Sequence, residues 1–120
     1  MRALALTHDE ANAATIAAHA ELIRELPCLI CVRFGFSGTL PVELHHVAVG
    51  TSKRDEFAQV PLCTEHHRGG SGLHGMGARA FCLTYKVPFL SEYGLLAWLI
   101  HDLSARMRAA HVMIEQDISA

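Results

Sequence analysis

Two short pairs of metal-ligating residues constrain this 120-residue chain more than any other feature. Cys28 and Cys31 form a C-x2-C pair, and Cys63 and His66 form a C-x2-H pair. Two such pairs supply the four ligands of a closed tetrahedral zinc site. The alternative is four unrelated buried residues. We predict a structural zinc site, because the two pairs fill all four positions around the ion. Metal binding there would add stability to a domain whose core is small.

The stretch from Cys28 to His74 contains four histidines in addition to His66, which the zinc site uses: His45, His46, His67 and His74. A hydrolytic metal site needs a few protein ligands, open positions for water and substrate, and a general base with a pKa near neutral. The candidate ligands of a catalytic divalent ion are His45, His67 and His74, and the candidate base is His46. The alternative for the His45-His46 pair is an outer contact of the zinc site plus one exposed histidine.

A base of this kind needs a neighbour that holds its tautomer and orientation. Asp55 lies in a loop from which it could reach back, and Glu43 precedes His45 by two residues and so shares its strand face. Adjacent side chains on a strand point to opposite faces. His45 and His46 are therefore expected to have different roles.

The chain length predicts one domain over residues 1–120, of the α+β class, with helices flanking a metal-binding core. The N-terminal part, 1–27, contains an alanine-rich helix at 7–25, and the C-terminal part, 91–120, contains a helix at about 92–116. In this last helix an i, i+4 row of Leu95, Leu99, Leu103 and Met107 is predicted to face the core, with a partner helix as another way to cover it.

The core, residues 28–90, is predicted to open with a tight Cys28–Cys31 knuckle. Extended segments at 32–36 and 42–49 follow it, joined by a turn at 37–41. A short helix is expected from Thr64, and His74 is expected in a glycine-dense loop. Phe81–Tyr85 is predicted to pack under the site.

Bulk composition narrows the functional class only a little. No apolar run is long enough for a membrane span, and the N-terminus does not have the pattern of a signal peptide, so a cytoplasmic location is expected. There, cysteines at metal spacing are ligands more often than disulfides, and Cys82 is predicted to be a core residue. Residues 28–90 carry six basic and four acidic side chains in a chain of net charge −2, which by itself does not indicate DNA binding.

The order of these motifs resembles that of the HNH endonucleases, which have the ββα-metal fold. The closer resemblance is to the Ref-like phage and prophage nucleases. In those proteins a Glu-x-His-His strand, an Asp-bearing loop, a Pro-Leu-Cys-x2-His-His run and a later glycine-flanked histidine recur. Here these are Glu43–His46, Asp55, Pro61–His67 and His74. The resemblance covers residues 28–87 and implies a small ββα-metal core with a zinc knuckle.

The resemblance also implies a role for each residue. His46 would activate water, and His45 would bind the catalytic ion with His67 and His74. Asp55 would orient His46, with Glu56 and Gln59 as competing candidates. The zinc would be held separately, by Cys28, Cys31, Cys63 and His66.

The activity implied is hydrolysis of DNA phosphodiester bonds with Mg²⁺ or another divalent ion, in a phage-derived or prophage-derived protein linked to recombination. A recombinase or replication protein would present the DNA. A rival hypothesis is a non-enzymatic zinc module that binds DNA or a recombination protein, which the slightly negative net charge favours. The surplus histidines argue against it. A metal-free structural protein with a histidine-rich surface is the third hypothesis.

Overall fold

The computed structural model describes residues 8–36, 41–47 and 55–119 of the chain. Two strands and six α-helices are found there. In chain order they are α1 (His8–Arg24), α2 (Leu29–Phe34), β1 (Val42–His46), β2 (Gln59–Cys63), α3 (Thr64–His67), α4 (Leu73–Met76), α5 (Ala78–Tyr85) and α6 (Tyr93–Ser119). A 3-10 turn, Pro88–Leu90, precedes α6.

The centre of the fold is an antiparallel hairpin followed at once by a short helix. Val42 lies opposite Cys63, and His46 lies opposite Gln59. Every residue of β2 is buried, and α3 begins at the residue after the strand. This β-β-α order, with helices on either side, confirms the predicted α+β class.

The segment after the first cysteine pair corrects one prediction. Residues 32–36 were expected to be extended, but Leu29–Phe34 forms helix α2. The helix places Cys28 and Cys31, three residues apart, on neighbouring positions of one face. It ends at Gly35, whose φ of 72° is a left-handed conformation that glycine adopts readily. Here burial of Leu29 and Ile30 overrides the strand preference of a β-branched and aromatic segment.

Two further expectations change in the core. β1 ends at His46, whereas the strand was predicted to run to Val49; the hairpin pairing extends one step beyond it through the Val47 N–H, which donates to the Ala58 carbonyl. Residues 48–49, and residues 37–40 of the predicted turn, lie outside the described residues. His74 was expected in a loop but belongs to the single-turn helix α4.

The terminal helices agree closely with the sequence patterns. α1 and α6 lie within three residues of the predicted ends. Leu95 and Leu99 are buried as expected, but Met107, on the same row, is 71% exposed. The second half of α6 therefore extends beyond the part of the core that the structure describes. None of the described helices has the length and apolar character needed to cross a membrane.

A half-buried ion pair joins α2 to α6. The Arg33 guanidinium donates to both carboxylate oxygens of Asp102, at 2.9 and 2.7 Å, and lies 4.4 Å above the ring of Trp98. This bidentate, stacked arrangement requires the planar fork of arginine. It fixes the first half of α6 against α2, the helix that carries Cys31.

Candidate metal centres

Three cysteines and one histidine converge where α2, β2 and α3 meet. Cys31 Sγ lies 3.8 Å from Cys63 Sγ. His66 Nδ1 lies 3.7 Å from Cys28 Sγ, 3.5 Å from Cys31 Sγ and 3.2 Å from Cys63 Sγ. A tetrahedral zinc ion with bonds of about 2.3 Å to sulfur and about 2.0 Å to nitrogen separates its ligands by about 3.8 Å for S–S and about 3.6 Å for S–N. These residues therefore fit a zinc ion.

The chemistry of the cluster also suits a cation. Burial raises the pKa of Cys28, and burial together with the neighbouring Cys28 thiol raises that of Cys31 to about 12. Burial lowers the pKa of His66, which favours the neutral, ligating form. A divalent ion reverses the cost of ionising the thiols, because it supplies the positive charge that the apolar surroundings lack. The sulfur separation of 3.8 Å is far beyond a disulfide bond. Cys82 is buried away from this cluster, as predicted.

A second cluster is formed by the histidines of three different elements. The rings of His45 and His67 are 5.3 Å apart, those of His45 and His74 5.3 Å, and those of His67 and His74 4.7 Å. One nitrogen from each ring lies within 4.8 Å of the others. His45 is buried, His67 is half-buried and His74 is exposed. The cluster therefore opens to solvent on one side, as a site that admits water and substrate must.

Close backbone packing brings the second and third of these histidines together. A Cβ added at Gly75 would collide with the Gly69 carbonyl oxygen, and one at Gly72 would collide with the Glu65 carbonyl oxygen. Only glycine permits α3 and α4 to approach so closely. The glycine density that predicted a loop thus has a packing purpose: it places His67 and His74 side by side.

Two of the three histidines have a carboxylate behind them. His45 Nε2 lies 2.6 Å from Glu92 Oε1, and His67 Nδ1 lies 2.7 Å from Glu43 Oε1. If each ring donates its N–H to the acid, a lone pair remains on His45 Nδ1 and on His67 Nε2. Carboxylates hold metal-binding histidines in this way, fixing the tautomer and raising the basicity of the ligating nitrogen.

Glu43 is tied down by a further partner, because Arg68 donates to both of its oxygens. The hydrogen bonds from Arg68 and His67 lower the pKa of Glu43 to about 2. Burial, and the nearby His67 and His45, lower the pKa of His74. Glu43 is therefore ionised, and His74 is biased toward its neutral form, at any physiological pH. Both states are those that cation binding requires.

Glu92 is the important residue that the sequence patterns did not indicate. It stands just before α6, where an acid is explained by the helix dipole alone. Its contact with His45 spans 47 positions of the chain and depends on how α6 packs against the hairpin. Nothing in the local spacing reveals such a contact.

His46 lies on the other face of the hairpin from His45. Its Nε2 is 3.1 Å from the side-chain nitrogen of Gln59 and 3.6 Å from Glu56 Oε2. Asp55, which was predicted to orient His46, accepts a hydrogen bond from the Phe57 N–H in the turn that precedes β2. All three candidates for the orienting role thus lie near the start of β2. Two of them, Gln59 and Glu56, lie next to the His46 ring.

A protein-family model matches most of the chain. The model of a protein family described as "Recombination enhancement, RecA-dependent nuclease" matches residues 12–104. This range contains both clusters and extends from within α1 to the first half of α6. No curated protein and no solved structure matches the chain.

Proposed function

We propose, since the chain belongs to the recombination-enhancement, RecA-dependent nuclease family, that it is a metal-dependent endonuclease that hydrolyses DNA phosphodiester bonds by an HNH-type mechanism. The observation that carries the proposal is the second cluster. A zinc module needs only Cys28, Cys31, Cys63 and His66. It has no use for three more convergent histidines, two of which are held by carboxylates.

The three-histidine cluster has the donor set for a divalent ion with open positions. His45, His67 and His74 would hold it, and Mg²⁺ or another divalent ion bound there would supply positive charge to the departing oxygen of the phosphodiester. Glu92 and Glu43 orient two of these ligands. The Cys31 cluster, which consists of Cys28, Cys31, Cys63 and His66, would hold zinc with four protein ligands and no open position, so its role is to stabilise the fold.

His46 is our proposed general base. Attacking and leaving oxygens lie roughly in line through phosphorus, so the base and the ion-binding residues belong on opposite sides of the phosphate. The alternation of β1 puts His45 and His46 on opposite faces at the end of the strand, which supports this assignment. The base role requires a lone pair on the nitrogen that takes the proton from water.

The neighbours of His46 suit that requirement. Among the described residues, the buried Oε1 of Gln59 has no hydrogen-bond partner. Turning the Gln59 amide lets this oxygen accept the Nε2–H of His46, and the Glu56 carboxylate favours the same proton position. The basic lone pair is then on Nδ1. Gln59 and Glu56 are thus favoured as orienting residues, and Asp55 stays a prediction.

The proposed partner is a recombinase of the RecA type that presents the DNA. The family description names RecA dependence, and the net charge of −2 gives the chain little electrostatic attraction for DNA of its own. A phage or prophage origin is proposed on the resemblance of the motifs alone. The rival function is a zinc module that binds DNA or the recombinase without turnover, and the same low net charge favours it.

A cutting assay decides between the two functions. Supercoiled plasmid and single-stranded DNA are incubated with and without RecA, in EDTA, Mg²⁺ or Mn²⁺, with wild type beside His46→Ala. We expect cutting that needs the added ion and falls by about 10²- to 10⁴-fold in the variant, with an unchanged melting temperature. Undiminished cutting by His46→Ala would refute the base assignment. Binding without any cutting by the wild type would favour the zinc module.

The same assay separates the orienting candidates. Gln59→Leu removes the amide next to His46, whereas Asp55→Asn keeps the size of the side chain and removes its charge. If Gln59 and Glu56 hold the base, Gln59→Leu and Glu56→Gln slow cutting and Asp55→Asn does not. If Asp55→Asn slows cutting and the other two variants do not, Asp55 is the residue that orients His46.

A further inference from the structure

The turn between α5 and α6 is held in an unfavourable backbone conformation. Lys86, Phe89 and Leu90 have φ angles of 54°, 64° and 50°, which place three residues other than glycine in the left-handed region. Each costs of order 1 kcal/mol or more, and such residues persist only where their surroundings enforce the conformation. Clusters of them are found at binding sites, so this turn is a place to look for one.

The contacts that enforce the turn make it rigid. Val87 is buried, its N–H donates to the Cys82 carbonyl, and its own carbonyl accepts from the Leu90 N–H. The first turn of α6 packs so closely against this turn that a Cβ at Gly94 would collide with the Pro88 carbonyl oxygen. The backbone of the turn is therefore held in place before any ligand arrives.

Beside this turn, between α5 and the start of α6, lies a shallow groove of about 470 Å³, and Leu90 is the residue of the turn that lines it. Tyr93, 48% exposed, and Leu90, 57% exposed, provide its apolar surface, and Arg79 provides a cation. Glu92 lines the same groove, and its carboxylate contacts His45. The groove therefore begins at the edge of the three-histidine cluster.

We propose that this groove binds one nucleotide of an unpaired DNA strand, next to the phosphate at the three-histidine cluster. The base stacks on Tyr93 and Leu90, and Arg79 contacts a backbone phosphate. Aromatic side chains bind bases of any sequence in this way, because every base has a π face. In a duplex those faces are covered by neighbouring bases, so the groove selects a single strand. This inference rests on the proposed function, since it names the substrate of the same site.

Binding rather than cutting tests the groove. The full chain with its zinc is mixed with a single-stranded oligonucleotide that carries 2-aminopurine, a base whose fluorescence falls when it stacks, without any added divalent ion. We expect quenching by wild type and by Tyr93→Phe. For Tyr93→Ala we expect quenching to be lost and binding to weaken by about 5- to 100-fold.

Arg79→Gln provides a second, independent variant on an exposed position. It should weaken binding and lower the salt dependence of the affinity by about one ion, without changing the quenching at saturation. Matched controls lie on the exposed second half of α6: Met113→Ala for the loss of an apolar side chain, and Arg108→Gln for the loss of a cation. Both are expected to bind like wild type.

The outcomes separate this inference from the nuclease proposal. Wild-type affinity and quenching in both Tyr93→Ala and Arg79→Gln would overturn the groove, whatever the cutting assay shows. Tyr93-dependent quenching by a protein that never cuts would support the groove and refute the nuclease. If Tyr93→Ala weakens only the binding of RecA protein, the surface is a protein interface and the inference is wrong.

Discussion

The two clusters both consist of metal-ligating side chains but differ in residue type, in burial and in the hydrogen bonds that hold them. The Cys31 cluster, meaning Cys28, Cys31, Cys63 and His66, lies in the core and its ligating atoms contact one another directly. The three-histidine cluster of His45, His67 and His74 runs from a buried to an exposed residue and has acids behind two of its rings. The first cluster has the geometry of a closed four-ligand site, whereas the second is open to solvent on one side.

In a small domain, stability and chemistry can therefore depend on different clusters. Four ligands that come from three elements of the core tie those elements together, so metal binding there becomes folding free energy. Ligands at the surface, held by outer hydrogen bonds, can exchange an ion without unfolding. The predictions below change one cluster at a time.

The largest effect is expected for Cys31→Ser. Structural zinc contributes about 10–16 kcal/mol in small domains, as much as or more than the whole stability of about 5–15 kcal/mol. The variant should lose its zinc and be unfolded at room temperature, as measured by metal content and circular dichroism.

The control for that variant is Cys82→Ala, a buried cysteine outside the cluster. It should keep its zinc and lose about 1 kcal/mol. A folded, cooperative Cys31→Ser protein with the wild-type melting temperature would show that the first cluster does not hold the fold together.

His67→Ala should separate chemistry from stability. The substitution removes one of the proposed ion ligands of the three-histidine cluster, so we expect metal-dependent cutting to fall by at least about 10²-fold. The melting temperature should fall by about 5 °C or less. His111→Ala, on the exposed half of α6, is the matched histidine control and should cut normally. Loss of zinc from His67→Ala would mean that the two clusters are not independent.

Glu92→Gln tests the acid behind His45. The amide keeps the size of the side chain but loses its charge, so the affinity for Mn²⁺ should weaken by about 10- to 100-fold, by titration calorimetry. Glu115→Gln, an acid that contacts His111 on the distal half of α6, should leave the Mn²⁺ affinity unchanged. Equal Mn²⁺ affinities in the two variants would show that Glu92 does not support the ion site.

The smallest effect is the pH dependence contributed by Glu43. Its pKa is about 2 in the folded chain against 4.5 ordinarily, so it stabilises the fold above pH 4.5 and this contribution is lost as the pH falls toward 2. Glu43→Gln should lower the unfolding free energy at pH 7 by no more than about 1 kcal/mol, because Arg68 is exposed. The difference from wild type should shrink below pH 4.5 in denaturant titrations. A difference in unfolding free energy that grows below pH 4.5 would contradict a stabilising role of the ionised Glu43 carboxylate.

The members of the Cys31 cluster could be predicted from two short spacings, whereas those of the three-histidine cluster were predicted as histidines that the zinc site leaves over and by resemblance to a nuclease family. C-x2-C and C-x2-H each predict two ligands from local geometry, and the His45-His46 pair predicts two roles from the alternation of a strand. The structure brings together the same two sets of side chains. The class of fold followed from the same motifs.

What could not be predicted depends on packing between distant segments. Helix α2 replaces an expected strand because its buried face, with Leu29 and Ile30, matters more than the β propensity of its residues. Glu92 reaches His45 only because α6 begins beside the hairpin. The strained turn at Phe89 has no sequence signal, since a residue other than glycine in a left-handed conformation contradicts local preference.

The number of metal ions per chain, measured in wild type and in His67→Ala, shows most directly whether the two clusters have separate roles. Each protein is dialysed against a weak chelator, analysed for zinc, and then titrated with Mn²⁺ while the free ion is followed by electron paramagnetic resonance. We expect one retained zinc in both proteins and one exchangeable Mn²⁺ in wild type alone. A wild-type chain that retains its zinc but binds no Mn²⁺, or a variant that binds it equally well, would contradict the claim that the two clusters have separate roles.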